Sequence, residues 1–394
     1  MSWPKEDRIV FACSRINVNA KLCQEIKENL NSDLNWDYLL KTAEDDGVIS
    51  LLYRILKDFG NGLVPDRVGD ILKRNYLETT ARNFFILSEL SKALKAFADN
   101  EIPVIVLKGA SFLENIYQDI GLRPIGDVDI LIKKERLPQI DSSLKEQGYS
   151  SPHRWADYID KPDTKYLNSI SYVKGPIHLH IHWHIINTSI ATYLNINEIK
   201  MDRFWQEARP ASIAGVESLA MASHHLLIHL SEHSFTHAYD RLILLCDISE
   251  IINYCNSNGG LNWELFLEDT LLFNLNIPAF YSLYFASKLI NAQVPAAVLN
   301  KLQPEHSGYP ERLVKKWVLE NKRIPELRYL IPLMVMNENL RQRLRYICKS
   351  LFLPKQVITQ KDILPCATFP LFHYALRIKN CFRKGLRILG YLLQ

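Results

Sequence analysis

GLRPIGDVDILIKK, residues 121–134, decides how this chain is read. Asp127 and Asp129 stand one residue apart at the head of an otherwise apolar run. On a β-strand, residues i and i+2 point to the same face, roughly 7 Å apart along the chain. Two carboxylates on one face have two readings. One is a solvated strand start, with Val128, Ile130 and Ile132 turned to the core. The other is a seat for divalent cations, since bridging carboxylates hold paired ions ~3.5–4 Å apart. Mg²⁺ takes one or two protein carboxylates and completes its shell with water and phosphate oxygens. The flanking sequence separates these readings.

Upstream, IPVIVLKG (102–109) is a short β-branched run ending in glycine, a buried strand by length and composition. ASFLENIYQD follows as a helix, GLRP turns the chain, DVDILIKK is the second strand and ERLPQIDSSLKEQGY the second helix. Strand, helix, strand, helix is an α/β unit. Gly109 lets the backbone approach a ligand closely, and the N–H groups opening the next helix, at Ala110 and Ser111, favour phosphate. Lys108 adds a cation. Taken alone, the same residues also describe a plain tight turn. Arg123, four residues before Asp127, offers a bidentate fork for phosphate or a brace for the turn.

Downstream, SISYVKGPIHLHIHWHII (169–186) reads as a hairpin that turns at KGP. His178, His180, His182 and His184 alternate, so they share one face. Imidazole suits zinc or nickel. Alternate residues fan out along a strand, however, so His180, with His182 beside it, is the part expected near the aspartates.

Helical spacing governs the rest. Trp36, Leu39, Leu40 and Ala43 fall at three- and four-residue steps, with Asp33 or Asn35 as cap. Val48–Phe59 and Val68–Asn100 repeat the pattern on either side of GNGLVP. From about 194, four further helices are expected: VESLAMASHHLLIHLSEHS, DRLILLCDISEIINYC, WELFLEDTLLFNL and PAFYSLYFASKLI. His225, His229, His233 and His237 form one stripe at steps of four, with His224 adjoining. A partly buried polar stripe is weighed above a cleft lining. Asp247 lies inside an apolar helix and needs a partner. Arg241 is not on its face, so a structural hydrogen bond is expected. The layout is an N-terminal helical region (1–95), an α/β core (96–190), a C-terminal helical domain (191–340) and a basic helical tail (341–394).

Composition bounds the class. Apolar residues make up 47% and charged residues 23% of 394, which excludes large-scale disorder and suggests two or three domains. Seven scattered cysteines without a CxxC pair argue against a disulfide framework or a zinc ribbon and fit a reducing compartment. No signal peptide or membrane span is read, so a cytoplasmic protein is expected. Residues 341–394 hold eleven Lys or Arg against Asp362 alone, a net +10, which leaves −6 on residues 1–340. Such a tail is a solvated helical face or a surface for an anionic partner such as nucleic acid, and the first reading is favoured.

The order strand, KG, helix, then DxD on the next strand resembles the nucleotidyltransferase superfamily to which DNA polymerase β belongs. Within it, the chain is most similar to a family of mostly uncharacterised bacterial nucleotidyltransferases. LKGASFLENIYQDIGLRPIGDVDILI (107–132) carries most of that resemblance. NWDYLLKTAEDDGVISLLYRIL (35–56), HIHWHI (180–185) and RLILLCDISEII (241–252) resemble the family's flanking segments. The resemblance implies an α+β fold, a small mixed-sheet nucleotidyltransferase core flanked by N-terminal and C-terminal helical regions. It implies transfer of a nucleoside monophosphate from an NTP, ATP by prior, to an acceptor that the sequence does not identify. Asp127 and Asp129 would bind Mg²⁺ or Mn²⁺. Lys108, Gly109, Ala110, Ser111 and Arg123 would meet the nucleotide. The superfamily usually supplies a third carboxylate, expected here two places before His182–Trp183, and His180 stands there. Imidazole adds no negative charge and is a poorer Mg²⁺ ligand than carboxylate. The chain is therefore an enzyme with His180 in the acid's place, or a weakened or inactive binding protein that keeps the fold.

Overall fold

Six strands form one mixed sheet in the order β3-β4-β2-β1-β6-β5. They are β1 (Ile105–Leu107), β2 (Val128–Leu131), β3 (Ser169–Lys174), β4 (Ile177–His182), β5 (Arg209–Ile213) and β6 (Val216–Ala220). The computed structural model describes residues 3–59, 62–157, 168–186, 199–304, 309–320, 327–336 and scattered positions between 341 and 383. The basic tail expected over 341–394 lies almost wholly outside the described residues, and so do Cys366 and Cys381. Among the described residues no helix is long and apolar enough to cross a membrane.

Strand β2 sits between β1, antiparallel to it, and β4, parallel to it. Its register sets Asp129 opposite Leu107 on one side and His180 on the other. Paired residues across neighbouring strands share a face. That face therefore carries Leu107, Asp129, Leu131, His180 and His182. The opposite face carries Val106, Val128, Ile130, Leu179 and Ile181, packed with Leu90, Leu94 and Phe97 of the long helix Asp66–Asp99 and with Leu137, Ile140 and Leu144 of the helix Leu137–Glu146. Each such side chain, fully buried, contributes roughly 1.5–3 kcal/mol, so the register of β2 is strongly fixed. On the site face Ile105, Leu107 and Leu131 join a second core, with Phe112, Tyr117, Ile248 and Ile252.

The helical regions follow their spacing. Asn35, rather than Asp33, caps Trp36–Asp45 by accepting from Tyr38 N at 3.0 Å. A helix over Lys5–Cys13 is additional. Strand β1 is shorter than the run IPVIVLKG, and the helix after it begins at Lys108 and widens to π geometry over Leu113–Tyr117.

One expectation is corrected. VESLAMASHHLLIHLSEHS is not a single helix. Its first five residues are β6, and the helix runs from Ser223 to Thr236. Val216, Leu219 and Ala220 satisfy a helical step as readily as a strand, and five residues are too few to separate the periods. Ala214 and Gly215 both hold positive φ, 51° and 71°, the backbone of a two-residue hairpin turn that follows the right-handed strand twist. The resulting hairpin pairs β6 in parallel with β1, so the sheet draws strands from beyond residue 190.

Candidate active site

Strand β2 delivers Asp129 to the middle of the sheet's polar face, and Asp127 sits just before the strand begins. Asp129 is 3% exposed, which rules out a solvated strand start for this residue. A buried carboxylate needs compensation, and three groups give it. Lys108 Nζ stands 3.2 Å from Oδ2, His182 Nε2 2.7 Å from Oδ1, and His180 Nδ1 3.8 Å from Oδ1. Burial works to raise the Asp129 pKa, but Lys108, His182 and His180 overcome it and hold the carboxyl well below its usual range. Asp127 is open, its side chain 48% exposed, and its Oδ2 lies 3.1 Å from His180 Nδ1. That hydrogen bond lowers the Asp127 pKa against a smaller effect of burial.

The two histidines divide the work. His182 is buried, and desolvation lowers its pKa despite Asp129. A neutral ring donating from Nε2 fixes which way Asp129 points. His180 is one-third exposed at its side chain. Burial opposes its charged form, but the Asp127 hydrogen bond and the Asp129 charge outweigh this and raise its pKa. His178 is exposed on the same face, and His184 lies beyond the strand, accepting from Ile186 N at 3.0 Å. Of the alternating four, only His180 and His182 reach the aspartates.

The segment Lys108–Ser111 has a different geometry from a phosphate cradle read off the sequence. Lys108 is in the left-handed region at φ 49°, which turns its side chain back to Asp129. The Ser111 hydroxyl donates to Lys108 O at 2.7 Å, and Ala110 is buried. Gly109 is demanded by Arg123. A Cβ at 109 would lie 2.1 Å from Arg123 Nη1 and 2.8 Å from Cζ. The Arg123 guanidinium passes over Gly109 to pair with Asp247, at 3.0 Å from Nε to Oδ1 and 2.8 Å from Nη2 to Oδ2. It also donates to Pro124 O at 3.0 Å and lies over the Phe112 ring at 5.3 Å. These are bracing contacts. Asp247 thus finds its partner in Arg123, and Tyr117 OH adds a bond at 2.8 Å to Oδ1. The turn before Asp127 is thereby bolted to the helix Ile243–Ser257.

A second clamp carries no distinctive signal in the sequence. Asn83, fully buried on the long helix, donates to Ile120 O at 2.6 Å and Arg123 O at 2.7 Å. Its Oδ1 accepts from Ile125 N at 3.1 Å. The only hint is a poor helix former in mid-helix, which mid-helix asparagines give without any such role.

The histidine stripe splits along its helix. His224 and His225 meet other carboxylates. His229 and His233 feel the charges of Lys108 and Asp129, while burial pushes the His229 pKa down to about 3 and His233 well below the usual value. His237 lies past the helix end, 3.9 Å from Asp240.

Donor atoms of Asp129, His180 and His182 lie within 4.8 Å of one another, a set able to hold a metal ion. That set offers one carboxylate and two imidazoles, with the Asp127 carboxylate 3.1 Å from His180 at its mouth. A carboxylate pair at the head of a central strand, beside a strand–helix turn, is the arrangement that the resemblance to nucleotidyltransferases implies. The profile of a family described as "Uncharacterised nucleotidyltransferase" matches residues 32–291. The chain belongs to that family. No curated protein matches it.

Proposed function

We propose that this chain is a metal-dependent nucleotidyltransferase acting on an NTP, with ATP the first candidate. What supports this most is the meeting of Asp127, Asp129 and His180 where β2 begins alongside β4, with Asp127 and His180 open to solvent. Asp127, Asp129 and His180 are the residues that would hold Mg²⁺ or Mn²⁺. Bound there, a divalent ion supplies positive charge against the α-phosphate and the leaving pyrophosphate. The chain's own part is positioning and charge. His182 aims Asp129. Arg123, Asp247 and Asn83 hold the turn that carries Asp127. Lys108 neutralises Asp129, and with a cation bound there it would be free to meet phosphate. The acceptor oxygen forms a bond to the α-phosphorus as the bond to pyrophosphate breaks, the electron pair leaves with pyrophosphate, and the acceptor proton passes to water.

The test is pyrophosphate release from ATP, GTP, CTP and UTP with Mg²⁺ or Mn²⁺, over a panel of hydroxyl and amine acceptors. Metal-dependent release with one nucleotide supports the reading. A second reading, binding without turnover, is favoured by His180 in the acid's place and by the saturation of Asp129 with Lys108 and His182. It gives metal-dependent NTP binding with no pyrophosphate under any acceptor.

A further inference from the structure

A second cluster of donors uses none of the residues above. Glu207 follows the helix Met201–Gln206, His224 and His225 open the helix Ser223–Thr236, and Asp269 belongs to the helix Trp263–Leu272. His224 Nε2 lies 3.2 Å from Glu207 Oε2 and 3.4 Å from Asp269 Oδ2. His225 Nε2 lies 2.9 Å from the same Asp269 oxygen. One donor atom from each of the four residues lies within 4.8 Å of all the others. Tetrahedral ligands held ~2.1 Å from Zn²⁺ stand roughly 3.4 Å apart, and the three contacts above, at 2.9, 3.2 and 3.4 Å, are at or somewhat inside that spacing.

The alignment points the same way. The His224 side chain is 6% exposed, and its Nε2 faces two carboxylate oxygens at 3.2 and 3.4 Å without a well-aligned hydrogen bond to either. A buried polar atom left in that state is costly. A cation among the four donors gives it a partner. Glu207 and Asp269 bring two negative charges to the ion, that of Asp269 shared with Arg203. Two imidazoles favour zinc over the oxygen-seeking Mg²⁺ and Ca²⁺. The supporting contacts also suit a ligand shell. Arg203 Nη1 holds the other Asp269 oxygen at 2.7 Å, and Phe204 stacks on the His225 ring at 4.3 Å. Outer contacts of this kind orient ligands around a metal.

We propose that Glu207, His224, His225 and Asp269 form a structural Zn²⁺ site. Glu207 and His224 flank the hairpin β5–β6, so the ion closes the segment that carries β6 to its place beside β1 and ties it to the helix Trp263–Leu272. The proposal does not depend on nucleotidyl transfer.

The test is zinc content and affinity of the full-length chain, measured by mass spectrometry after dialysis and by competition with a chromophoric chelator. The wild type is expected to retain one equivalent. The double variant D127N/D129N is expected to retain it as well. E207Q, altered at a rim side chain that is 33% exposed and so a low risk to folding, is expected to weaken Zn²⁺ at least tenfold. H224Q is expected to weaken it further and to abolish the tetrahedral visible spectrum of the Co²⁺-substituted chain. Three results would each overturn the proposal: no zinc in the wild type, unchanged affinity in both E207Q and H224Q, or loss of the zinc in D127N/D129N.

Discussion

Two clusters of histidine and carboxylate occupy this chain, and the elements that carry them set their behaviour. The cluster of Asp127, Asp129, His180 and His182 is built on neighbouring strands in fixed register. Its donors line one face and end at solvent, with Asp127 half exposed. The cluster of Glu207, His224, His225 and Asp269 is built on helical segments, and three of its four members are buried. Strands spread donors along a face and leave room for a substrate. Two helices and the residue that ends a third close around a point. The same residue types thus make an open site in one place and a closed one in the other.

The comparison can be broken first at the brace. The open cluster depends on a turn held by the buried pair of Arg123 and Asp247. Asp247→Ala leaves the guanidinium buried without its partner, and we expect a loss on the order of 4 kcal/mol in chemical denaturation. A loss below about 1 kcal/mol would show that the turn stands without the pair. The next largest effect falls on chemistry. Asp127→Asn keeps the shape of an exposed side chain, so Tm is expected to hold while turnover falls roughly 10²–10³-fold. Unchanged turnover would move the cation elsewhere.

Acid sharpens the contrast between burial and exposure. His229 is 2% exposed, and burial followed by Lys108 holds its pKa at about 3. The unfolded chain takes up this proton near pH 6.5, whereas the fold resists it until about pH 3. Stability is therefore full above pH 6.5 and falls as pH drops between these values, by about 3 kcal/mol at pH 4.5 for this residue. Denaturation of His229→Gln across that range is expected to show a shallower pH slope. The smallest effect is on selectivity. His180→Asp restores a carboxylate at the mouth, and we expect the ratio of Mg²⁺- to Mn²⁺-supported turnover to rise about tenfold. An unchanged ratio would remove His180 from the ion's shell.

Legibility in the sequence followed locality. Asp127 and Asp129 were visible because period two fixes a shared face whatever the tertiary context, and the apolar partners Val128 and Ile130 confirm the period. His180 was visible because β4 alternates apolar and histidine residues through six positions. The hairpin 209–220 was lost because five residues cannot tell a strand from a helix, and Ala-Gly is a quiet turn signal. Arg123 with Asp247, 124 residues apart, and Asn83 with the turn at 120–125 are long-range meetings that periodicity does not encode. Gly109 was read as room for a ligand because glycine marks a close approach without naming what approaches. Here the neighbour is an arginine of the chain itself.

The central claim is that Asp127, Asp129 and His180 hold a cation that brings an NTP to β2. Its most direct test is calorimetric titration of ATP, with and without Mn²⁺, into the wild type and Asp127→Asn. We expect binding by the wild type only with the metal, weakened at least tenfold in the variant. Metal-independent binding, or equal affinity in the two proteins, would contradict it.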